Sequence, residues 1–398
     1  MSKPRTHRLK HVAVLIESSR AYGRGLIEGV VRYSREQKTW RIDFEPRGLE
    51  APPPWLDRWQ GDGILARLPN QLCAQAVSAK GLPVVELYST STDTQLPMIA
   101  GDNAQIARLA FEHFWERGLR QFAYCGLHPE HHHYIAQRGE AFAQLAQSAG
   151  CPCAVFPARR TSVAMSDWDL EQDDIAVWLR ELPKPVGVLA CFDERGFQVL
   201  NACRDMGLQV PEQVAVVAVG DDAVLCEMST PPLSSIDLDA PRIGYEAAAL
   251  LDRMMRGASA PQSPLWIPPR SLVARGSSDI LAVDDADVAT ELRLIRDRAC
   301  DGLQVAEVLR QVATSRSLLE RKFKQFVGRT PKAHILRIQM DRARQLLLDT
   351  NLSLREIAQQ TGFTNEKYFS DAFARQVGVR PAALRKQRIG QGHAEVDG

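Results

Sequence analysis

Lys322-Phe323-Lys324-Gln325-Phe326-Val327-Gly328-Arg329-Thr330-Pro331 and Ala372-Phe373-Ala374-Arg375-Gln376-Val377-Gly378-Val379-Arg380-Pro381 are one pattern written twice, fifty residues apart. Phe323/Phe373, Gly328/Gly378, Pro331/Pro381 and Ala333/Ala383 are identical at that offset. Two short helical patterns and a tight turn precede the end of each copy. The first motif runs over 305–312, turns through Ala313-Thr314 and continues over 315–327. The second runs over 354–360, turns at Thr361-Gly362-Phe363 and continues over 364–377. Ser353 and Glu356 have capping-box spacing, and Gly362 stands where the chain must turn. Thr330-Pro331 opens a connecting helix to about Asp349. A helix-turn-helix repeated in tandem predicts an all-α domain that reads double-stranded DNA.

Helical periodicity gives each second helix an apolar face, Leu319, Phe323 and Phe326 in one copy and Phe369, Phe373 and Val377 in the other. The opposite faces carry Arg316, Ser317, Glu320, Arg321 and Lys324, and Glu366, Lys367, Ser370 and Asp371. These are the expected DNA-contacting residues. Arginine reads guanine bidentately, Glu or Asp accepts from cytosine, and Lys324 suits a phosphate. The first face is basic and the second partly acidic, so the first copy is expected to dominate affinity. Overall charge agrees: the chain is nearly neutral at +1, yet 300–391 holds 17 basic against 8 acidic residues, leaving 32 against 40 elsewhere.

With 398 residues, the chain is too long for one ordinary core. Its 45% hydrophobic and 24% charged residues are those of a soluble globular protein. No apolar run is long enough to span a bilayer or to form a signal peptide, so a cytoplasmic location and no membrane partner are expected. The eight cysteines are scattered, with Cys151 and Cys153 the only close pair, and reduced thiols are expected.

From about residue 9 to 275, apolar strands alternate with amphipathic helices. Strands are predicted at 11–16, 63–66, 83–87, 121–125, 186–191 and 214–219, and helices at 25–37, 103–118 and 138–150. Strand–helix–strand order predicts parallel sheets covered on both faces, here in two lobes, with ligands at the carboxyl ends of the strands. Those ends carry Glu17-Ser18-Ser19-Arg20, Gly101-Asp102-Asn103, Asp193-Glu194-Arg195 and Asp221-Asp222. Carboxylates and an arginine converging there suit a polyol; the plainer role for each Asp is to cap the next helix. Gly23-x-Gly25-x-x-x-Gly29 imitates a dinucleotide fingerprint, but Glu17 to Tyr22 separate it from the strand. His128, His131, His132 and His133 form a histidine-rich loop with no second ligand cluster, so no metal is expected. No nucleophile elbow or phosphate loop is present. The lobes are built to bind, with no catalytic residues and no cofactor expected. Domain boundaries are placed at 9–275 for the sensing domain, 276–290 for a linker and 291–390 for the DNA-binding domain.

Residues 291–388 resemble the DNA-binding domain of the AraC/XylS family of bacterial transcription regulators. The resemblance rests on Ile357-Ala358-x-x-x-Gly362-Phe363, Tyr368-Phe369-x-x-x-Phe373 and Gly378-x-x-Pro381-x-x-x-Arg385. Asp371 departs from it, since the family usually has a basic residue there. The N-terminal region is similar to the effector domain of lactose-repressor-type regulators, related to periplasmic sugar-binding proteins. That similarity is carried by Gly101-Asp102-Asn103, Arg138-Gly139, Asp193, Asp221-Asp222 and Pro231-Pro232-Leu233-Ser234-Ser235-Ile236. The usual N-terminal DNA headpiece is missing from its place. The resemblance implies a sugar effector, a pentose first, held by Asp102, Arg138, Asp193 and Asp221, with Ser18, Arg20 and Asp222 as further contacts; Tyr22, and Tyr134 beyond the loop that follows a strand, are expected to reach the same cleft. It also implies a homodimeric activator that works with RNA polymerase. Two other readings stay open: the same regulator sensing a non-sugar molecule, and a sugar-acting enzyme with a regulatory tail.

Overall fold

The computed structural model of the chain describes residues 9–46, 51–89, 96–128, 133–159, 168–280, 285–311 and 315–389. The chain divides into two compact units. One comprises the residues up to Phe111 with Arg120–Asp279, the other Glu112–Leu119 with the residues from Ile280 onward.

The alternation read from the sequence gives, in order, β1 (Lys10–Leu15), α1 (Ala21–Gln37), β2 (Trp40–Phe44), β3 (Gly63–Leu68), α2 (Gln71–Ser78), β4 (Val84–Ser89), β5 (Ile99–Gly101) and α3 (Asn103–Glu116). There follow β6 (Phe122–Cys125), α4 (His133–Ser148), β7 (Cys153–Val155), α5 (Trp168–Glu181), β8 (Val186–Ala190), α6 (Asp193–Asp205) and β9 (Val214–Val219). Last come α7 (Ala223–Met228), β10 (Ser234–Asp237), α8 (Ala240–Met255), β11 (Leu265–Ile267) and β12 (Ser271–Val273). The strands form a four-stranded sheet, β2-β1-β3-β4, and a six-stranded sheet, β12-β10-β9-β8-β6-β7, with a short β11-β5 pair. Among the described residues only β12 runs antiparallel, against β10. Every residue of β8 and β9 is buried, as unbroken apolar runs in a parallel sheet must be.

Each sheet has its own apolar core. One gathers Val12, Val14, Leu26, Val30 and Ile243 between β1, α1 and α8. The other gathers Ile175, Leu179, Val188, Val199 and Val216 between α5, α6 and the large sheet. Helices α1 and α8 meet through glycines: a Cβ on Gly29 would lie 2.0 Å from the Pro241 carbonyl oxygen, and one on Gly244 2.0 Å from that of Leu26. A larger residue at either place would force the two helices to shift. A carboxylate on α8, Asp252, is only 3% exposed and is held by Tyr33 Oη at 2.8 Å and Arg256 Nη2 at 2.6 Å.

Two helices begin earlier than their periodicity predicts. Helix α1 starts at Ala21 because the chain at Glu17 folds back over its first turn, where a Cβ on Gly23 would lie 2.0 Å from the Glu17 carbonyl oxygen. The glycines that imitate a dinucleotide fingerprint therefore sit inside a helix as packing surfaces. Helix α4 starts at His133, and its Tyr134 and Ile135 are buried; in the sequence they follow directly on histidines, which conceals the apolar period. His131, His132, Asp284 and the Ala313-Thr314 turn lie outside the described residues.

The second unit contains α9 (Ala286–Arg298), α10 (Val305–Gln311), α11 (Arg316–Val327), α12 (Pro331–Asp349), α13 (Leu354–Gln360), α14 (Glu366–Val377) and α15 (Pro381–Ile389). It holds two apolar cores. Val288, Leu292, Val308, Leu319 and Phe323 pack with Ile335 at the start of α12, and Ile357, Phe369 and Phe373 pack with Met340, Ala343 and Leu347 near its end. Helix α12 thus serves both motifs. Among the described residues no helix is long and apolar enough to cross a membrane.

Candidate ligand site and nucleic-acid interface

The carboxyl ends of β8 and β9 bring Asp193 and Asp221 together through shared partners. Asp193, 3% exposed, accepts from the Ser235 hydroxyl at 2.5 Å and from the Asp222 backbone N–H at 2.8 Å. The Ser235 oxygen in turn accepts from the Asp221 N–H at 3.0 Å. Burial drives the Asp193 carboxyl up to about 7, against the pull of its two hydrogen bonds. Gly220 makes the approach possible. Its φ is +137°, and a Cβ there would lie 2.6 Å from Asp193 Oδ2. Asp221 follows in the left-handed region at φ +55°, a cost a non-glycine residue bears only where its surroundings fix it. Burial also raises the Asp221 carboxyl, while Arg275 at 2.8 Å opposes the rise.

Asp102 and Asp222 are different. Asp222 caps α7 by accepting from the Val224 and Leu225 N–H groups. Asp102 accepts from the Gln105 backbone N–H at 3.0 Å and the Gln105 amide at 2.8 Å. Capping is thus visible for these two, whereas α6 begins after Phe192 with no side-chain cap at all.

Arg138 is 4% exposed, donating to Asn103 Oδ1 at 3.0 Å and to the Cys191 carbonyl. Asn103 donates to the Tyr134 carbonyl at 2.7 Å, and the Tyr134 hydroxyl donates to the Gly101 carbonyl. Residues beyond β1 reach the end of the other sheet: Arg20 Nε lies 3.0 Å from Glu194 with its guanidinium 5.4 Å from the Phe192 ring, and Arg24 lies 3.9 Å from Asp222. The Ser18 carbonyl accepts from Arg24 at 3.1 Å, and Tyr22 lies under Arg67, which is paired with Glu17. Sequence reasoning quoted Glu194 and Ser235 without giving them a contact, and it missed Arg67, Arg275 and Trp266, the last stacked on Tyr134 at 6.2 Å. Arg67 and Trp266 sit within strands and Arg275 follows the late edge strand β12, so none of the three stands where a strand end draws attention. Among the described residues no group of His, Cys, Asp or Glu side chains is placed to hold a metal.

In the second unit the two motifs share one construction. Helices α11 and α14 are each 12 residues long. They are capped by Ser315 on the Leu318 N–H and by Asn365 on the Tyr368 N–H, and end at left-handed Gly328 and Gly378. The capping box of Ser353 and Glu356 is formed in full. Leu319, Phe323, Phe369 and Phe373 are completely buried. Arg316, Ser317, Arg321, Lys324, Glu366, Lys367 and Asp371 are exposed, while Glu320 and Ser370 are partly so. Within the first face Arg316 pairs with Glu320 at 2.9 Å, and Asp371 lies 3.9 Å from Arg380. A polar recess beside α14, lined by Arg355, Gln359, Thr364 and Asn365, adds residues that the face-by-face reading left out. Tyr368 also stands 60% exposed on that helix.

Two parallel-sheet lobes of the periplasmic-binding kind, in one chain with a doubled helix-turn-helix, define a transcription regulator with a sugar-binding-type domain. Family models agree: a XylR N-terminal domain matches residues 11–104, a periplasmic binding protein-like domain 111–278 and a helix-turn-helix domain 308–387. The xylose operon regulatory protein of Escherichia coli K12 is 31% identical over 381 residues, covering 94% of this chain and 96% of that one. Its counterpart in Haemophilus influenzae is 29% identical over 386 residues, covering 96% and 99%. The solved structure of the xylose-binding transcription activator xylR superposes with a TM-score of 0.61 at 30% identity, covering 96% of this chain and 98% of that one. The chain belongs to the family of xylose operon regulatory proteins.

Proposed function

We propose that this protein is a cytoplasmic transcription activator whose effector is D-xylose or a closely related pentose. The supporting observation is the buried Asp193–Ser235–Asp221 arrangement with Arg138 nearby: acceptors and donors fixed before a ligand arrives, as a polyol requires. In this reading Asp102, Arg138, Asp193 and Asp221 hold sugar hydroxyls, with Ser18, Arg20, Tyr22, Tyr134 and Asp222 around them. Residues 9–275 sense, 276–290 link and 291–390 bind DNA. The protein acts as a homodimer, with RNA polymerase as its downstream partner. The exposed faces of α11 and α14 enter successive major grooves about 10 base pairs apart. Sugar shifts the equilibrium only by binding the DNA-competent arrangement better than the alternative.

No catalysis is part of this function, so the sugar leaves unchanged. Isothermal titration with D-xylose, L-arabinose and D-ribose, followed by chromatography of the recovered sugar, tests both statements. Heat with a pentose and full recovery are expected. No heat with any of the three removes the effector reading, and a converted sugar removes the non-enzymatic one.

A further inference from the structure

Arg275 follows β12 and precedes Asp279, the last residue of the first unit. Its side chain is 14% exposed and turns inward: Nη1 donates to Asp221 Oδ1 at 2.8 Å and to the Leu233 carbonyl at 3.0 Å, and Nε donates to Glu227 at 3.1 Å. Its main chain is tied at the same place. The Arg275 N–H donates to Ser234 Oγ at 2.7 Å, and Ser234 Oγ lies 3.0 Å from the Arg275 carbonyl. Ser277 Oγ accepts from the Ser234 N–H at 2.8 Å and donates to the Val216 carbonyl at 2.7 Å, and Ser278 Oγ lies 2.8 Å from Ser234 Oγ. Ser277 and Ser278 are fully buried. One residue therefore joins a carboxylate at the end of β9 to the stretch by which the chain leaves the unit.

The remaining oxygen, Asp221 Oδ2, has no hydrogen-bond partner among the described residues, so it can accept from a hydroxyl while Oδ1 stays with the guanidinium. Such a hydroxyl draws on the charge that Arg275 also uses, and Asp221 is held both at its N–H, by Ser235 Oγ at 3.0 Å, and at Oδ1, by Arg275 at 2.8 Å, so the carboxylate does not shift alone. We propose that Arg275 is a positioning residue that sets the Asp221 carboxylate for the effector and transmits its occupancy to the 275–279 exit stretch. The inference rests on the sugar-sensor reading above.

The test uses the full chain, D-xylose titration calorimetry, and hydrogen exchange of peptides covering 270–280 with and without saturating D-xylose. Wild type is expected to bind and to change its exchange there. Arg275→Gln is expected to bind roughly tenfold more weakly, as for one lost charge-assisted contact. At saturation it should show no change in that segment. Arg275→Lys, which keeps the charge, should recover part of the affinity, and it carries the same comparison if the Gln variant does not fold. Glu227→Gln, which alters only the outer contact, should stay within about twofold of wild type, because exposed pairs contribute little. If Arg275→Gln binds more weakly but keeps the wild-type exchange response at saturation, the transmission is refuted. Wild-type affinity and response together refute the whole proposal. A wild-type protein that binds no pentose overturns the sensor reading, and this inference with it.

Discussion

Asp193→Asn isolates the most perturbed group of the candidate site. The carboxyl rises from an ordinary 3.8 to about 7 because burial penalises its charge more than Ser235 and the Asp222 N–H reward it. A raised folded-state value means that the folded protein holds this proton more tightly than the unfolded chain. The contribution is complete below about pH 4 and is lost as pH rises through about 7. One such proton gives a slope approaching about 1.4 kcal/mol per pH unit, so wild type should lose up to about 2 kcal/mol relative to Asp193→Asn between pH 5 and 7. Asn fits the same space, and the Ser235 hydroxyl can rotate to meet its amide, so any cost of lost hydrogen bonding is nearly independent of pH. Urea unfolding at pH 5, 6 and 7 measures the difference. Tryptophan fluorescence reports mainly on the first unit, which holds six of the seven tryptophans, Trp115 alone belonging to the second. A wild-type-minus-variant difference that stays constant across that range would refute the reasoning.

Glu291 offers a parallel in the second unit. It is completely buried, neither carboxylate oxygen has a hydrogen-bond partner among the described residues, and burial, with Glu320 nearby, drives it up to about 8. The stability of wild type relative to Glu291→Gln should fall from about pH 4.5 to 8, followed by helical ellipticity in urea; a difference that stays constant would contradict this. Gly244→Ala places a methyl 2.0 Å from the Leu26 carbonyl and should cost roughly 1–3 kcal/mol, read as a lowered first-unit melting temperature. On a duplex selected by the wild-type protein from random sequences, Arg321→Ala should relax base preference in the half read by α11. Lys367→Ala should weaken binding with little change of preference. Uniform weakening by Arg321→Ala would reduce it to a phosphate contact.

The fold was legible wherever local chemistry alone dictates it. A six-residue apolar run such as 214–219, rich in valine and set between helical stretches, reads as a buried parallel strand. Ser353, Glu356, Gly362 and Gly378 hold backbone groups whose needs are local, and they sit where spacing predicts. The candidate site was half legible. Asp193 and Asp221 announce themselves by following apolar strands, yet the same signal marks Asp102 and Asp222, which cap helices. Nothing in the local sequence separates the two pairs, because the difference lies in partners brought from elsewhere. Ser235 is 42 residues from Asp193, and Arg275 is 54 from Asp221.

What the sequence determined by itself is the repertoire: two sheets with ligand-facing ends, and a helix-turn-helix made twice with a basic first face and a mixed second one. Periodicity, capping and charge act over a few residues, so they survive reading in one dimension. What only the tertiary structure decided is which polar groups meet. A carboxylate's protonation, a glycine's necessity and an arginine's task depend on atoms within a few ångströms. Here those atoms arrive from strands that chain order leaves far apart.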